Sequence, residues 1–363
     1  MIALYSPDVP PQPGGVSDQT LALARALAAM GASPVVLALH GDPTAFAPIP
    51  CRVGIDPLEA PEAARVLGAS SLLVQYVPFL YAHRGVAPAL FRLPAAVRRA
   101  GLHWGVFVHE PFVPFTRLAW LVTGIPQRLQ FRVLVRAADR VYAAAPRFAD
   151  LARRWGAAAE SVALVPVGAT IPVSSLTRAE ARARLGLGDD RIAIGIFSPA
   201  ASGFAHAWIA AAAHRLSTAQ GVTWVRFGRG SARDLPGYPR GPNVITVGET
   251  EAGTVAATMR ALDVAAQPYT DGLTLRRTGA MLALASGVPV VSSQGHLFDP
   301  ALSALAACEP TPDAFADRLA SLAADPSARR DLAARTAGYA EHASTEALAR
   351  RIAADFPHAE VRP

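Results

Sequence analysis

Short, continuous apolar runs alternate along this chain with longer stretches rich in alanine, leucine and arginine. Apolar strands without polar alternate positions are typical of parallel sheets that helices cover on both faces. The runs fall into two sets, which predicts an α/β fold of two doubly wound lobes. The runs are Ser33–Leu39, Ser71–Gln75, His103–Val108, Arg140–Ala144 and Val162–Val165, then Arg191–Phe197, Val222–Phe227, Val244–Val247, Asp263–Gln267 and Pro289–Ser292.

The segment Val167–Leu176, which is rich in Gly, Pro and Ser, separates the two sets. Such a composition is typical of a linker, and 363 residues are enough for two domains of ordinary size. We therefore expect the border between the lobes here. Two helical stretches, Pro312–Ala324 and Pro326–Ala354, close the chain.

Every one of the 34 basic residues is an arginine, against 28 acidic residues, for a net charge of +6. The absence of lysine excludes pyridoxal-phosphate enzymes, Schiff-base aldolases, standard P-loop NTPases and protein kinases. Any phosphate that this chain binds must be held by arginine, backbone N–H groups, hydroxyls or a metal.

Location and partners are also bounded by the composition. Cys51 and Cys308 are the only cysteines and lie far apart, which excludes a disulfide scaffold and zinc-ligand spacing. Residues 1–15 lack the signal-peptide pattern and no apolar run reaches membrane-spanning length, so we expect a cytoplasmic protein. The positive charge favours anionic partners. Because no nucleic-acid motif is present, we expect a nucleotide or an acidic lipid rather than nucleic acid.

The N-terminal stretch MIALYSPDV reads as a further buried strand, and a glycine pair, Gly14-Gly15, lies between it and the helix predicted over Gln19–Met30. Glycine at such a turn lets the backbone approach a ligand, and the helix N-terminus offers N–H groups to a phosphate. A tight turn capped by Ser17 or Asp18 is the alternative.

His109 and Glu110 follow the strand His103–Val108. Ligands of parallel sheets gather outside the C-terminal strand ends, so this pair is a candidate polar cluster. The alternative is a histidine that only satisfies the loop backbone.

The polar loop Tyr269–Thr278 follows another strand and places Arg276 and Arg277 just before a helix. Arginine offers bidentate donors to phosphate oxygens, and the helix start adds its dipole and N–H groups. This arrangement predicts a diphosphate site, and a solvated charged loop is the alternative.

Four arginines recur at a spacing of four residues, which predicts one side of a helix. We interpret this row either as a solvated face with acidic neighbours or as a peripheral contact with acidic lipid at the inner membrane face. The four are Arg128, Arg132, Arg136 and Arg140.

Together these pieces resemble the GT-B glycosyltransferases, and most of all glycosyltransferase family 4, in a divergent branch with a D-G-x-x-x-R-R donor loop. The stretch Ala283–Val291 is similar to that family's A-M-A-x-G-x-P-V-V and is the most specific part of the match. The other pieces, in order, are Gly14–Met30, His109–Pro111, Val165–Gly168, Phe227–Gly230, Val247–Glu249, Asp263–Pro268 and the block Asp271–Val291, which contains that stretch.

The resemblance implies two Rossmann-like lobes facing a cleft. Residues 1–170 would form the acceptor side and residues 171–340 the donor side, with residues 341–363 a C-terminal helix crossing back to the first lobe. The implied activity is hexosyl transfer from a nucleoside-diphosphate sugar, with UDP or GDP favoured, to a hydroxyl of a saccharide, a lipid-linked glycan or a small metabolite. Retention of configuration, no metal and no further cofactor are implied.

Residue by residue, the resemblance places His109, Glu110 and Asp271 at the reacting centre, with His109 beside the transferred sugar and Asp271 at its hydroxyls. The implied donor-binding residues are Gly14, Gly15, Gly228, Gly248, Glu249, Gly272, Leu273, Thr274, Arg276, Arg277 and Thr278.

Two departures from the family pattern concern charge. Leu282 stands where a second glutamate usually grips the ribose, and the stretch Ser198–Phe204 lacks the usual arginine and lysine. We hypothesise that Arg276 and Arg277, from a different loop, neutralise the diphosphate instead.

Three alternatives stay open on the sequence. They are a nucleotide-sugar epimerase of the same fold, a catalytically inactive homologue that acts as a binding or partner subunit, and a two-lobed solute-binding protein. The donor sugar, the acceptor, the linkage and the oligomeric state are not determined by these motifs.

Overall fold

The structure is a computed structural model that describes residues 1–12, 14–113, 119–201, 203–336, 339 and 344–356, with residues 119–121 described in their backbone alone. The chain divides into two compact units, Met1–Val167 with Thr345–Pro363, and Gly168–Ser344. The border lies within the Gly-, Pro- and Ser-rich segment, and the last helix belongs to the first unit.

The first unit contains a parallel seven-stranded sheet in the order β3-β2-β1-β4-β5-β6-β7. Its central strands are buried along nearly their whole length, as expected of apolar runs covered on both faces. The strands are β1 (Ile2–Asp8), β2 (Pro34–His40), β3 (Cys51–Arg52), β4 (Ser71–Tyr76), β5 (His103–Val108), β6 (Arg140–Ala143) and β7 (Val162–Leu164).

Helices of the first unit fill the crossovers between these parallel strands. They are α1 (Gly15–Ala29), α2 (Ala60–Val66), α3 (Pro78–Tyr81), α4 (Pro88–Ala100), α5 (Ala119–Ala137) and α6 (Pro146–Arg154), and the returning helix is Thr345–Asp355. The returning helix packs against α1. It is fixed to the sheet by the Tyr142 hydroxyl, which donates a hydrogen bond of 3.0 Å to Asp355.

The second unit contains a parallel six-stranded sheet in the order β10-β9-β8-β11-β12-β13. Every predicted apolar run coincides with a strand, and the sequence patterns missed only the short edge strands β3 and β13 among the described residues. The strands are β8 (Ile192–Phe197), β9 (Val222–Phe227), β10 (Val244–Gly248), β11 (Val264–Gln267), β12 (Val290–Ser293) and β13 (Ala307–Glu309).

The helices of the second unit are α7 (Arg178–Arg184), α8 (His206–Arg215), α9 (Ala252–Arg260), α10 (Thr278–Ala285), α11 (Pro312–Ala324) and α12 (Pro326–Ala334), which makes the returning helix α13. Helix α7 begins with a capping box between Thr177 and Glu180. Its Arg182 is 1% exposed and donates to the Ala261 carbonyl at 3.2 Å and to Asp263 at 3.1 Å. This buried arginine therefore fixes α7 to the segment that enters β11.

The prediction that four arginines share one helix face is wrong for Arg140. Helix α5 ends at Ala137, and Arg140 begins β6 and pairs with Asp355 at 3.5 Å. The Arg128 guanidinium folds back onto the Phe112 ring, 4.2 Å from its centre. A spacing of four residues does not distinguish a continuing helix from a helix that is followed by a turn and a strand. The spacing therefore predicts a helical position for Arg140 that the structure does not have.

Candidate functional site

In the first unit, His109 lies just beyond the end of β5 and is 8% exposed. Its Nε2 lies 2.7 Å from the Gln75 side-chain oxygen, at the end of the neighbouring strand β4. An amide oxygen only accepts, so Nε2 carries the proton. The imidazole also stacks on Phe107, with 4.5 Å between ring centres. Strand pairing and these two contacts fix both the tautomer and the orientation of the ring.

Glu110 follows directly but is exposed, with its backbone N–H 3.5 Å from the Tyr76 carbonyl. The two adjacent residues of the sequence motif are therefore placed differently. His109 is buried at the C-terminal edge of the sheet, whereas Glu110 is exposed.

The Gly14-Gly15 turn begins α1, and an ideal Cβ at either glycine would meet nothing within 4 Å. The packing of this unit therefore does not itself require glycine there. Nearby, in the first turns of α1, Ser17 and Gln19 are buried. The Ser17 hydroxyl and both polar atoms of the Gln19 amide have no hydrogen-bond partner among the described residues.

Sequence reasoning missed Gln19 and Gln75. The signal for Gln19 was its spacing of four from the buried Leu23, which places an amide on the apolar face of α1. The signal for Gln75 was a polar residue at the end of a continuous apolar strand.

In the second unit, the loops that follow β8 and β11 are joined at the C-terminal edge of the sheet, where these strands are neighbours. The Thr270 N–H donates to the Gly203 carbonyl at 2.8 Å, and the Ala205 N–H donates to Pro268 at 3.0 Å. Residues 268–278 are thus fixed to the loop in which the expected arginine and lysine are absent.

Both arginines of this loop form ion pairs with Asp271. The Arg277 guanidinium also lies over the Tyr269 ring, 4.4 Å from its centre. An ideal Cβ on Gly203 would be only 3.0 Å from Arg277 Nη2, so this guanidinium lies against the loop after β8. Arginine from the adjacent strand end therefore reaches the loop that lacks basic residues of its own.

At this cluster two guanidiniums surround the Asp271 carboxylate. Burial lowers the pKa of Arg277 and the neighbouring Arg276 lowers it further, while Asp271 acts in the opposite direction. Burial raises the pKa of Tyr269 to about 12, so its hydroxyl stays neutral. That hydroxyl donates to the Gln267 side chain at 2.9 Å. Asp271 is expected to contact sugar hydroxyls, but in the structure its carboxylate already forms ion pairs with both arginines.

The backbone between these groups is closely packed. Gly272 has φ of +91°, and a Cβ there would be 2.7 Å from the Gly295 backbone nitrogen, so only glycine fits. Leu273 and Thr274 are buried, and the Thr274 hydroxyl has no partner within the described structure. The loop is therefore fixed by its packing against the Gly295 backbone as well as by its arginines.

Helix α10 begins at Thr278, with Arg277 at the N-cap and no side-chain cap. A Cβ on Gly279 would lie 2.8 Å from the Phe197 ring and 3.0 Å from the Gln267 side-chain oxygen. The helix start therefore packs directly on the ends of β8 and β11. Uncapped N–H groups beside two arginines form an arrangement suited to an anion.

Leu282 is 1% exposed and packs in the core of the second unit. The position of the family's second glutamate thus contributes to the core here and supplies no carboxylate.

The remaining predicted donor residues lie along the same sheet edge. The Gly228 N–H donates to the Gly248 carbonyl at 2.8 Å, which joins the loop after β9 to the end of β10, and Glu249 is exposed beside them.

No group of three or more His, Cys, Asp or Glu side chains suited to a metal ion occurs in the described part of the chain. Among the same residues, no helix is both long and apolar enough to cross a bilayer.

Comparison with known proteins yields no matching family model and no matching curated protein. Solved structures do match over nearly the whole chain. Sucrose-phosphate synthase from Thermosynechococcus elongatus is 18% identical with a TM-score of 0.69, covering 97% of each chain. Alr3699/HepE of Anabaena in complex with UDP-glucose is 15% identical with a TM-score of 0.66, covering 97% of this chain and 98% of that one.

WaaG, a glycosyltransferase involved in lipopolysaccharide biosynthesis, is 13% identical with a TM-score of 0.67, covering 99% of this chain and 100% of that one. At these identities the likeness concerns the fold. The two parallel sheets and this likeness confirm the predicted fold class, an α/β chain with two Rossmann-like units of the GT-B type.

Proposed function

We propose that the protein is a glycosyltransferase that moves a hexosyl group from a nucleoside-diphosphate sugar to an acceptor hydroxyl. The observation that carries this proposal is the placement of Arg277 against the Gly203 loop, beside the uncapped start of α10. This cluster offers a diphosphate bidentate donors, backbone N–H groups and the positive end of a helix dipole.

UDP is the favoured nucleotide because the HepE structure of the same fold is a complex with UDP-glucose. The base would lie toward Gly248 and Glu249, as the resemblance implies. The acceptor class stays as predicted: a saccharide, a lipid-linked glycan or a small metabolite.

The chemistry that we propose is breakage of the anomeric C–O bond, with the electron pair leaving on the diphosphate. Arg276, Arg277 and the α10 N–H groups stabilise the developing charge. The acceptor hydroxyl attacks from the same face, and its proton passes to the departing phosphate oxygen. Arginine supplies the positive charge, so the proposed reaction needs no metal.

His109 and Glu110 are proposed to serve the transferred sugar and the acceptor. His109 is suited to an orienting role because Gln75 and Phe107 fix its ring. Glu110 is exposed and is therefore accessible to an acceptor.

The test is a thermal-shift screen of the purified protein against UDP, GDP, ADP and dTDP, followed by a transfer assay with the matching sugar donor. A nucleotide at a hundred times its Kd stabilises by about 2.7 kcal/mol. Arg277→Ala should lower kcat/KM by about 30- to 1000-fold, since one charge-assisted contact to phosphate is lost. Arg215→Ala is the matched control, because that exposed arginine pairs with Asp317 at the surface, away from the donor loop.

The outcomes separate the alternatives. A donor that is isomerised without transfer identifies an epimerase. Nucleotide binding with neither transfer nor donor hydrolysis identifies an inactive binding subunit. No shift with any nucleotide refutes the donor site.

A peripheral contact with anionic lipid is a second proposal, and the exposed face of α5 favours it. Val122 is 73% exposed, Ile125 55% and Leu129 51%, and Arg132 follows on the same side of the helix. Exposed apolar residues beside arginine are typical of interfacial helices. Replacing the three apolar residues by serine should abolish flotation with phosphatidylglycerol vesicles, whereas Val66→Ser, at an equally exposed valine of α2, should not.

A further inference from the structure

The second unit has a cavity of about 330 Å³ at the edge of its sheet opposite to the candidate donor site. Asp263 and Pro289, which line it, come directly before β11 and β12, whereas the donor loop follows β11. Because these strands are parallel, the cavity lies at their N-terminal ends. It is therefore a separate place on the same unit.

Arginine dominates the wall of this cavity. Its charged lining residues are Arg178, Arg260, Asp263, Arg329 and Arg330. Four positive charges face one negative charge, an imbalance that is unfavourable without an anion.

The single carboxylate of the wall is already fully engaged. Asp263 accepts from Arg178 at 2.5 Å, from the buried Arg182 at 3.1 Å and from the Ala193 N–H at 2.8 Å. Its one negative charge is shared by Arg178 and Arg182, and it forms no ion pair with the other arginines of the wall in the described part of the chain.

Arg260 and Arg329 are oriented by backbone carbonyls. Arg260 Nη1 donates to the Ser286 carbonyl at 3.0 Å, and Arg329 Nη1 donates to the Ala323 carbonyl at 3.0 Å at the end of α11. Across the described ranges, neither these two nor Arg330 forms an ion pair with a carboxylate. Each keeps further N–H donors for a ligand.

A buried hydroxyl in the same wall also lacks a partner. Ser286 is 2% exposed and lines the cavity, and its Oγ has no hydrogen-bond partner among the residues described. That oxygen has almost no accessible surface, so it lies behind the wall, and the donors that this cavity offers to a ligand are its guanidiniums.

We propose that this cavity binds a small phosphate-bearing anion, independently of the proposed transferase activity. Planar guanidiniums match the oxygens of a phosphate. The volume accommodates a phosphate with a small attached group and lies at the lower end of ligand-pocket sizes. A free phosphate ester and a lipid headgroup share this chemistry.

The test measures binding of inorganic phosphate by calorimetry in an Arg276→Gln/Arg277→Gln background, which removes the candidate donor cluster. Chloride at matched ionic strength is the reference. One phosphate should bind in this background. Adding Arg260→Gln with Arg330→Gln should weaken binding by about 10- to 100-fold, because charge-assisted hydrogen bonds are lost.

Arg260→Gln alone is the gentler variant, since it removes a single guanidinium, and it should weaken phosphate binding by about 3- to 10-fold because one charge-assisted hydrogen bond is lost. Arg240→Gln, at an exposed arginine outside the cavity, is the control that should leave binding unchanged. Folding of every variant is checked by circular dichroism.

Vesicles that contain phosphatidic acid distinguish the two sources of the ligand. Binding of free phosphate identifies a soluble anion, and binding of vesicles alone identifies a headgroup; either supports the proposal. Absence of both kinds of binding in the folded protein overturns it, and so does phosphate binding that Arg260→Gln with Arg330→Gln leaves unchanged.

Discussion

Asp271→Asn is the substitution that separates the two roles open to this carboxylate. In the structure Asp271 is a resident counter-ion held between Arg276 and Arg277. If that is its main role, the substitution removes a carboxylate that two neighbouring buried guanidiniums share. The ligand-free protein should then lose stability, while the affinity for a diphosphate should rise because the competing anion has gone.

The magnitude follows from burial. Breaking a fully buried ion pair by removing one partner costs about 3–5 kcal/mol. The side chains of Asp271 and Arg277 are each 11% exposed and that of Arg276 is 16% exposed, so water screens the change only slightly. We expect a loss of about 2–4 kcal/mol, or about 4–16 °C in the Tm of a unit of this size.

The assay is a thermal melt of wild type and variant, each without ligand, with UDP and with UDP-glucose. The variant should melt lower without ligand, and UDP should stabilise it more than it stabilises wild type. If Asp271 mainly contacts sugar hydroxyls, the variant should instead respond normally to UDP and weakly to UDP-glucose. An unchanged ligand-free Tm refutes the counter-ion argument.

Three further substitutions test the packing around the candidate sites. Gly279→Ala should destabilise the second unit in urea by about 1–3 kcal/mol and weaken UDP binding, because its Cβ would meet the Phe197 ring; unaltered values for both would contradict the close approach of α10. Gln75→Leu should lower kcat about tenfold or more while leaving UDP binding unchanged, because His109 loses the side-chain oxygen that orients its ring; equal loss of both would point to unfolding instead. Tyr142→Phe should cost about 1 kcal/mol in the first unit, since the final helix loses a hydrogen bond to the sheet, and faster proteolysis of that helix is the readout.

The fold was predictable because its signals are local. Each apolar run such as Val222–Phe227 carries its own strand signal, and the linker carries its own breaker residues. The edge strand Cys51–Arg52 was not predictable, because two residues carry no periodicity and pair only through β2.

The sequence indicates which residues belong to the candidate donor site, but it does not indicate how they contact one another. The sequence indicates that Arg276 and Arg277 precede a helix, but the neighbour of β11 is set by sheet order, which no local pattern encodes. The approach of Arg277 to Gly203 follows from that order, whereas the ion pairs of both arginines with Asp271 are set by the path of their own loop. Gln75 was missed for the same reason, since its partner His109 lies on the adjacent strand.

Helix α10 has a consequence beyond placing its first residue. All its residues from Gly279 to Leu284 are buried, so it has no solvent-facing side along that stretch. The arginines at its start are therefore attached to a helix that is part of the core. Most of the conformational entropy of this segment is lost when the unit folds rather than when a ligand binds. Local opening of this helix requires the core to open, so its backbone amides should exchange with solvent only through unfolding of the whole unit.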